Sequence, residues 1–181
     1  LVSRPTPALL EEIASAEPDE RRRACLAAVE DPSATLLVDA LGEVLGDPQK
    51  AVARAASDAL VEIATRIGGV EAAIRKARRS ELPSRRWGAA FTAARFAPPG
   101  PQLLPPLVEA LGSADGDIRW AAARVIVEIG RVHGEVLPLL IAMVRNGEQH
   151  EGPESTRDGS HLRRAARGRS RGDAASDCAE S

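Results

Sequence analysis

Residues 35–68, TLLVDALGEVLGDPQKAVARAASDALVEIATRIG, return sixty-six positions later as residues 101–134, PQLLPPLVEALGSADGDIRWAAARVIVEIGRVHG. Eleven of the thirty-four positions are identical, with no gap. Leu37, Leu41, Glu43, Leu45 and Gly46 meet Leu103, Leu107, Glu109, Leu111 and Gly112. Ala55, Ala56, Val61, Glu62, Ile63 and Gly68 meet Ala121, Ala122, Val127, Glu128, Ile129 and Gly134. Self-similarity at a fixed period marks a repeat architecture, in which each unit needs its neighbours to hide its apolar side.

A diverged copy sits at the half-step of 33, where Val70, Ile74, Ala89 and Phe96 take the places of Leu37, Leu41, Ala56 and Ile63. Upstream, a shift of 31 lays Leu10, Ile13, Arg23, Ala24 and Val29 on Leu41, Val44, Arg54, Ala55 and Leu60. Downstream, Val136, Leu137, Leu140 and Val144 fall on Leu103, Leu104, Leu107 and Leu111. Four units and the start of a fifth are visible.

Each unit reads as two helices. Apolar residues recur at three and four in the first (Leu37, Leu41, Val44, Leu45) and in the second (Val52, Ala55, Ala56, Ala59, Leu60, Ile63), giving one stripe on each. Between them lie GDPQK at 46–50, SELPS at 80–84 and GSADGD at 112–117, whose Asp, Ser, Pro and Gly end one helix and cap the next. Gly68–Gly69, Pro98–Pro99–Gly100 and Gly134 close the units. The predicted fold is all-α: a right-handed α-solenoid of about four and a half stacked antiparallel hairpins over 1–146. A polar loop and a disordered Arg/Ser/Gly-rich tail are expected over 147–181. The third unit departs from the pattern, with Arg78 where Leu45 and Leu111 stand and Gly88 inside its second helix, so it is expected to be bent or loosely packed.

The segments DPQKAVARAASDALVEIA and DGDIRWAAARVIVEIG, preceded by LLVDALGEVLG and LLPPLVEALG, resemble HEAT repeats. The nearest variety is the short bacterial kind of phycobilisome-lyase-type proteins, and the resemblance runs over roughly residues 8–145. It implies an architecture and leaves activity open, because repeat residues serve packing.

Composition agrees with helices. Tyrosine is absent and the aromatic residues are Trp87, Phe91, Phe96 and Trp120, so Ala, Leu, Val and Ile must build the core. A formal charge of −2 marks no global field for nucleic acid or membrane. Cys25 and Cys178 stand far apart and form neither a metal spacing nor a disulfide framework, which points to a reducing cytoplasm. Neither a signal peptide nor a membrane-spanning stretch is read.

Candidate binding residues follow from the repeat. Equivalent positions on successive second helices form a ladder, read as Arg23, Arg54, Trp87 and Trp120, with Arg22, Ala53, Arg86 and Arg119 one place before. Both rows lie off the apolar stripe, and Phe91 shares a helix side with Trp87. Arg and Trp are the side chains most enriched at binding hot spots, which makes Arg54, Arg86, Trp87, Phe91, Arg119 and Trp120 the candidate partner-binding set. The competing structural role packs each Trp between repeats and bonds Arg119 to Asp115 or Asp117. Residues 70–100 hold seven bases against two acids, a basic patch beside two tryptophans.

No catalytic constellation, metal spacing or phosphate-binding glycine loop appears, and neither catalysis nor a cofactor is expected. The expected function is a non-catalytic scaffold that holds a protein or peptide, acidic by charge complementarity, in a groove of second helices. The alternatives are a bilin lyase or lyase-associated subunit, suggested by the repeat variety, and a DNA-binding or base-excising protein, for which Asp58 is the one candidate carboxylate. Leu137, Leu140, Ile141 and Val144 at the incomplete C-terminal end are expected to drive self-association or to meet further repeats.

Overall fold

The computed structural model describes residues 6–148. The Arg/Ser/Gly-rich tail and the side chain of Val144 lie outside the described residues. Leu1–Ala142 forms one compact unit, and Met143–Ser181 is a second.

The described residues are helical throughout, in alternating short first helices and longer second helices. The first helices are α1 (Thr6–Ile13), α3 (Val38–Glu43), α5 (Glu71–Ala77), α7 (Leu104–Leu111) and α9 (Val136–Glu148). The second helices are α2 (Pro18–Ala28), α4 (Lys50–Arg66), α6 (Pro83–Phe96) and α8 (Gly116–Val132). Single 3₁₀ turns at Ala34–Leu36, Val44–Gly46 and Pro101–Leu103 adjust the entry or exit of first helices. Each second helix packs on its own first helix and on the next second helix: α2 on α4, α4 on α6, α6 on α8. This is the α-solenoid that the repeat predicts.

The register is carried by a row of alanines. Ala24, Ala56, Ala89 and Ala122 occupy the same place on α2, α4, α6 and α8, and each is fully buried. On the first-helix side Leu37, Val70, Leu103 and Val136 form the matching row, all 3 % exposed or less. Alanine at the crossing lets helix axes approach at the short end of the usual 8–10 Å range. Leu9, Leu41, Ile74 and Leu107 then fill the space beside the crossing.

These rows correct the upstream alignment. The N-caps Glu17, Gln49, Leu82 and Asp115 are spaced by 32, 33 and 33 residues. The first unit is therefore offset by 32 and not 31. Leu9 is 1 % exposed in the place expected for Leu10, which is 38 % exposed. Arg22, not Arg23, aligns with Arg54, Trp87 and Trp120.

The third unit is not loose. A Cβ at Gly88 would lie 2.5 Å from the carbonyl oxygen of Leu45, and one at Gly46 would lie 2.8 Å from the Cβ of Arg85. The two glycines let α6 press its backbone against the 3₁₀ turn of the second unit. At the other end of α4, Gly68 and Gly69 hold φ of 85° and 81°, left-handed values that favour glycine. The Gly68 N–H bonds the Ile63 carbonyl at 3.0 Å and closes the helix.

α9 opens a fifth unit as expected, burying Val136 but leaving Leu137 and Ile141 66 % and 43 % exposed. It runs through Glu148, past the residue where a loop is expected.

Two outcomes test this packing. Gly88→Ala should destabilise the protein by about 1–3 kcal/mol, since the clash is with backbone, and the urea midpoint reads it. Cys25 is fully buried, and burial pushes its thiol up to about 12. Cys25 should therefore resist iodoacetamide in native protein and react at once in denaturant, as peptide mapping would show.

Candidate functional site

The turns between paired helices share one device. A side chain accepts the N–H two residues on: Ser15 from Glu17 at 3.1 Å, Asp47 from Gln49 at 2.8 Å, Ser80 from Leu82 at 3.2 Å and Ser113 from Asp115 at 3.2 Å. Only α8 adds a conventional cap, where Asp115 accepts the Asp117 N–H at 3.0 Å.

An arginine six residues after the turn serine clamps the same loop. Arg21 Nη1 donates to the carbonyls of Ser15 and Ala16 at 2.9 and 2.8 Å. Arg86 Nη1 donates to those of Ser80 and Glu81 at 2.7 and 2.9 Å. Arg119 Nη1 donates to those of Ser113 and Ala114 at 2.7 and 3.0 Å. Arg21 and Arg86 also reach the following unit, through Asp47 at 2.7 Å and through Glu109. These contacts raise the already high pKa of both guanidiniums. The second unit has Ala53 at this place, and its turn is held by Arg21 from outside. The expected bond from Arg119 to Asp115 or Asp117 is not made, because the backbone carbonyls take it. Of the candidate set, Arg86 and Arg119 are thus committed to holding turns.

The other candidates come together on the row of second helices. Arg54, Trp87 and Phe91 line a cavity of about 190 Å³, walled also by Ala53, Ile118 and Ala121. The Trp87 and Phe91 rings lie 5.2 Å apart and tilted by 32°, within the range of favourable aromatic pairs. Phe91 is shared with a wider depression of about 680 Å³ between α6 and α8 that holds Trp120, Arg124, Val127 and Arg131. Trp120 is 65 % exposed, with the Arg124 guanidinium 4.8 Å from its ring centroid.

Polar groups beneath the cavity are mutually satisfied. Fully buried Thr92 Oγ1 lies 2.8 Å from Ser57 Oγ and bonds the Gly88 carbonyl at 2.7 Å. Arg95 donates to Ser57 Oγ at 3.0 Å and pairs with Asp58 at 2.7 Å. Asp58, the carboxylate required by the base-excision reading, is therefore tied to a cation.

At the cavity rim Lys50, which opens α4, pairs with Asp115, the N-cap of α8. This bond joins the second unit to the fourth past the third. Nothing in the repeat pattern signals it, since it depends on how far successive hairpins rotate. The hydrogen bond from Lys50 holds the Asp115 carboxyl below its ordinary range, and Asp115 raises the Lys50 ammonium.

The basic segment divides. Lys76 and Arg85 pair with Glu43, Arg86 with Glu109 and Arg95 with Asp58. Arg75, Arg78 and Arg79 sit at the end of α5, beside the first helices and away from the cavity that Trp87 lines. The expected single patch beside two tryptophans is two separate groups.

The fold and these turns define an α-solenoid of helical hairpins. The family model of HEAT repeats matches residues 70–151, from the third hairpin into the fifth. The matched stretch consists of HEAT repeats, and the two hairpins upstream of it carry the same buried alanine and bonded turn. No curated protein matches it. HEAT repeats commonly mediate protein–protein interaction. Among the described residues no helix is long and apolar enough to cross a membrane, and no His/Cys/Asp/Glu group could hold a metal.

The Lys50–Asp115 bond makes stability depend on pH at both ends. The Asp115 contribution is complete above the ordinary carboxyl value of 3.8 and is lost as pH falls through its lower folded value. The Lys50 contribution is complete below 10.5 and is lost as pH rises through its higher folded value. Lys50→Ala should flatten both limbs in a pH series of urea midpoints, and added salt should mimic the substitution.

Proposed function

We propose that this HEAT-repeat protein is a non-catalytic scaffold that holds a segment of a protein partner along its second helices. The observation that carries the reading is Trp120, two-thirds exposed on a helix whose neighbour presents Phe91 and Trp87 at the same level. An exposed Trp costs the free protein the hydration of a large apolar face, a cost that a partner's side chains remove. Arg54 at the cavity rim, without an ion-pair partner among the described residues, and Arg124 beside Trp120 favour an acidic segment. The cavity beneath Trp87 and Phe91 receives one apolar anchor of that segment. Arg86 and Arg119 serve indirectly, by fixing the turns from which α6 and α8 start.

A photo-crosslinking amino acid at position 120, with the same group at exposed Glu11 on α1 as control, tests the reading in the native host. Adducts from position 120 should map to one segment of a protein partner, and Trp120→Ala should weaken binding of that segment by about tenfold or more while leaving the thermal midpoint unchanged. Equal adducts from positions 120 and 11 would remove the reading.

A further inference from the structure

Four of the seven cations between residues 70 and 100 are neutralised by acids of neighbouring elements; Arg75, Arg78 and Arg79 are not. These three surround one surface concavity of about 360 Å³, whose floor is Ile74, Ala93 and Phe96. Glu71 is the single acid on its edge. Among the described residues no carboxylate pairs with the three guanidiniums, and the Arg78 guanidinium donates to the Gln102 carbonyl at 3.3 Å. Arg78 stands in the register of buried Leu45 and of Leu111, which is 40 % exposed, so the chain sets a cation where these two units set a leucine.

The physical consequence is uncompensated charge. Burial lowers the Arg78 pKa, and the nearby Arg79 and Arg75 lower it further. The carbonyl end of α5 offsets part of this repulsion. An anion seated among the three forks would offset the rest. Guanidinium forks match the oxygens of a phosphate two at a time, which a lysine cannot do. The apolar floor beside them suits the carbon chain or ring that carries the phosphate.

The cluster spans about one helical turn, roughly 6 Å. A nucleic-acid duplex is held by phosphate contacts spread along its length, and the acids Glu43 and Glu81 flank this cluster on its other side. One phosphate group fits; a backbone does not. We propose that the concavity of Arg75, Arg78 and Arg79 binds a phosphorylated side chain of a protein segment. The site shares no residue with the surface around Trp120, and its occupant need not be the same partner.

Fluorescence anisotropy with three probes tests this: a degenerate peptide pool with a fixed central phosphoserine, phosphothreonine or phosphotyrosine, the same pool unphosphorylated, and a short DNA duplex. The phosphorylated pool should bind saturably and the other two at least about tenfold more weakly. Arg75→Ala with Arg79→Ala should cost about tenfold or more, and Trp120→Ala should change nothing. In wild-type protein the arginine Nε–Hε resonances of Arg75, Arg78 and Arg79 should shift on titration while that of Arg124 stays. Equal binding of the two peptide pools, duplex binding as tight as the phosphorylated pool, or shifts confined to other arginines would overturn the proposal.

Discussion

Close approach of successive second helices is the constraint on which this structure rests. It is met by one residue type at one register: Ala24, Ala56, Ala89 and Ala122, all without exposed surface. Had these positions carried leucine, the axes would stand further apart and the rows of larger residues on either side would lose contact. The same constraint fixes where large side chains can go. Trp87 and Trp120 stand two residues before Ala89 and Ala122, and on a helix residues two apart do not face the same way. The alanine contact therefore turns Trp120 out of the helix–helix seam, whereas Trp87 stays half-buried against the apolar cluster between repeats. The surface that we assign to a partner is a by-product of the seam that holds the stack.

A second requirement is that each hairpin turn keep its shape without a core of its own. Short loops leave carbonyls and N–H groups that must find partners. Here the serine or aspartate takes an N–H of the turn, and the arginine six residues later takes two carbonyls. The arrangement recurs with Arg21, Arg86 and Arg119, and its failure at Ala53 shows what it supplies. There the turn residue is an aspartate instead of a serine, and the preceding unit's Arg21 crosses to it. A missing clamp within a repeat has become a link between repeats.

Much of this was legible in the chain because the period is long and the packed residues are small. The shift of 66 and its half were readable from Leu37/Leu103 and Ala56/Ala122. The one-residue slip upstream has a local cause. Leu9–Leu10 and Arg21–Arg22–Arg23 are runs of like residues, so identity matching cannot choose a register within them. Burial chooses it, because only one leucine of the pair can face α3. Gly88 was misread for a related reason. A glycine in a helix weakens it in isolation, and only the position of the Leu45 carbonyl reveals the close approach that the missing Cβ permits. The Lys50–Asp115 bond was invisible, since it joins elements sixty-five positions apart through a rotation no spacing encodes. Arg86 and Arg119 looked like recognition residues on the same footing as Trp87 and Trp120. Spacing places a side chain on a face but does not say whether its donors are already taken.

That distinction, between donors taken and donors left open, separates architecture from recognition among the arginines. Arg21, Arg85, Arg86 and Arg95 each meet a carboxylate of another helix or turn, and their charge is used up inside the fold. Among the described residues Arg75 and Arg79 meet none, although Glu43, which lines a concavity with them, already serves two other cations. A chain with two more acids than bases had carboxylates to place there and placed them elsewhere. Unpaired guanidiniums gathered at one concavity keep their full fork of donors for an oxyanion from outside. Arg75 and Arg79 make no ion pair with the stack among the described residues, so the charge they carry is available to a partner.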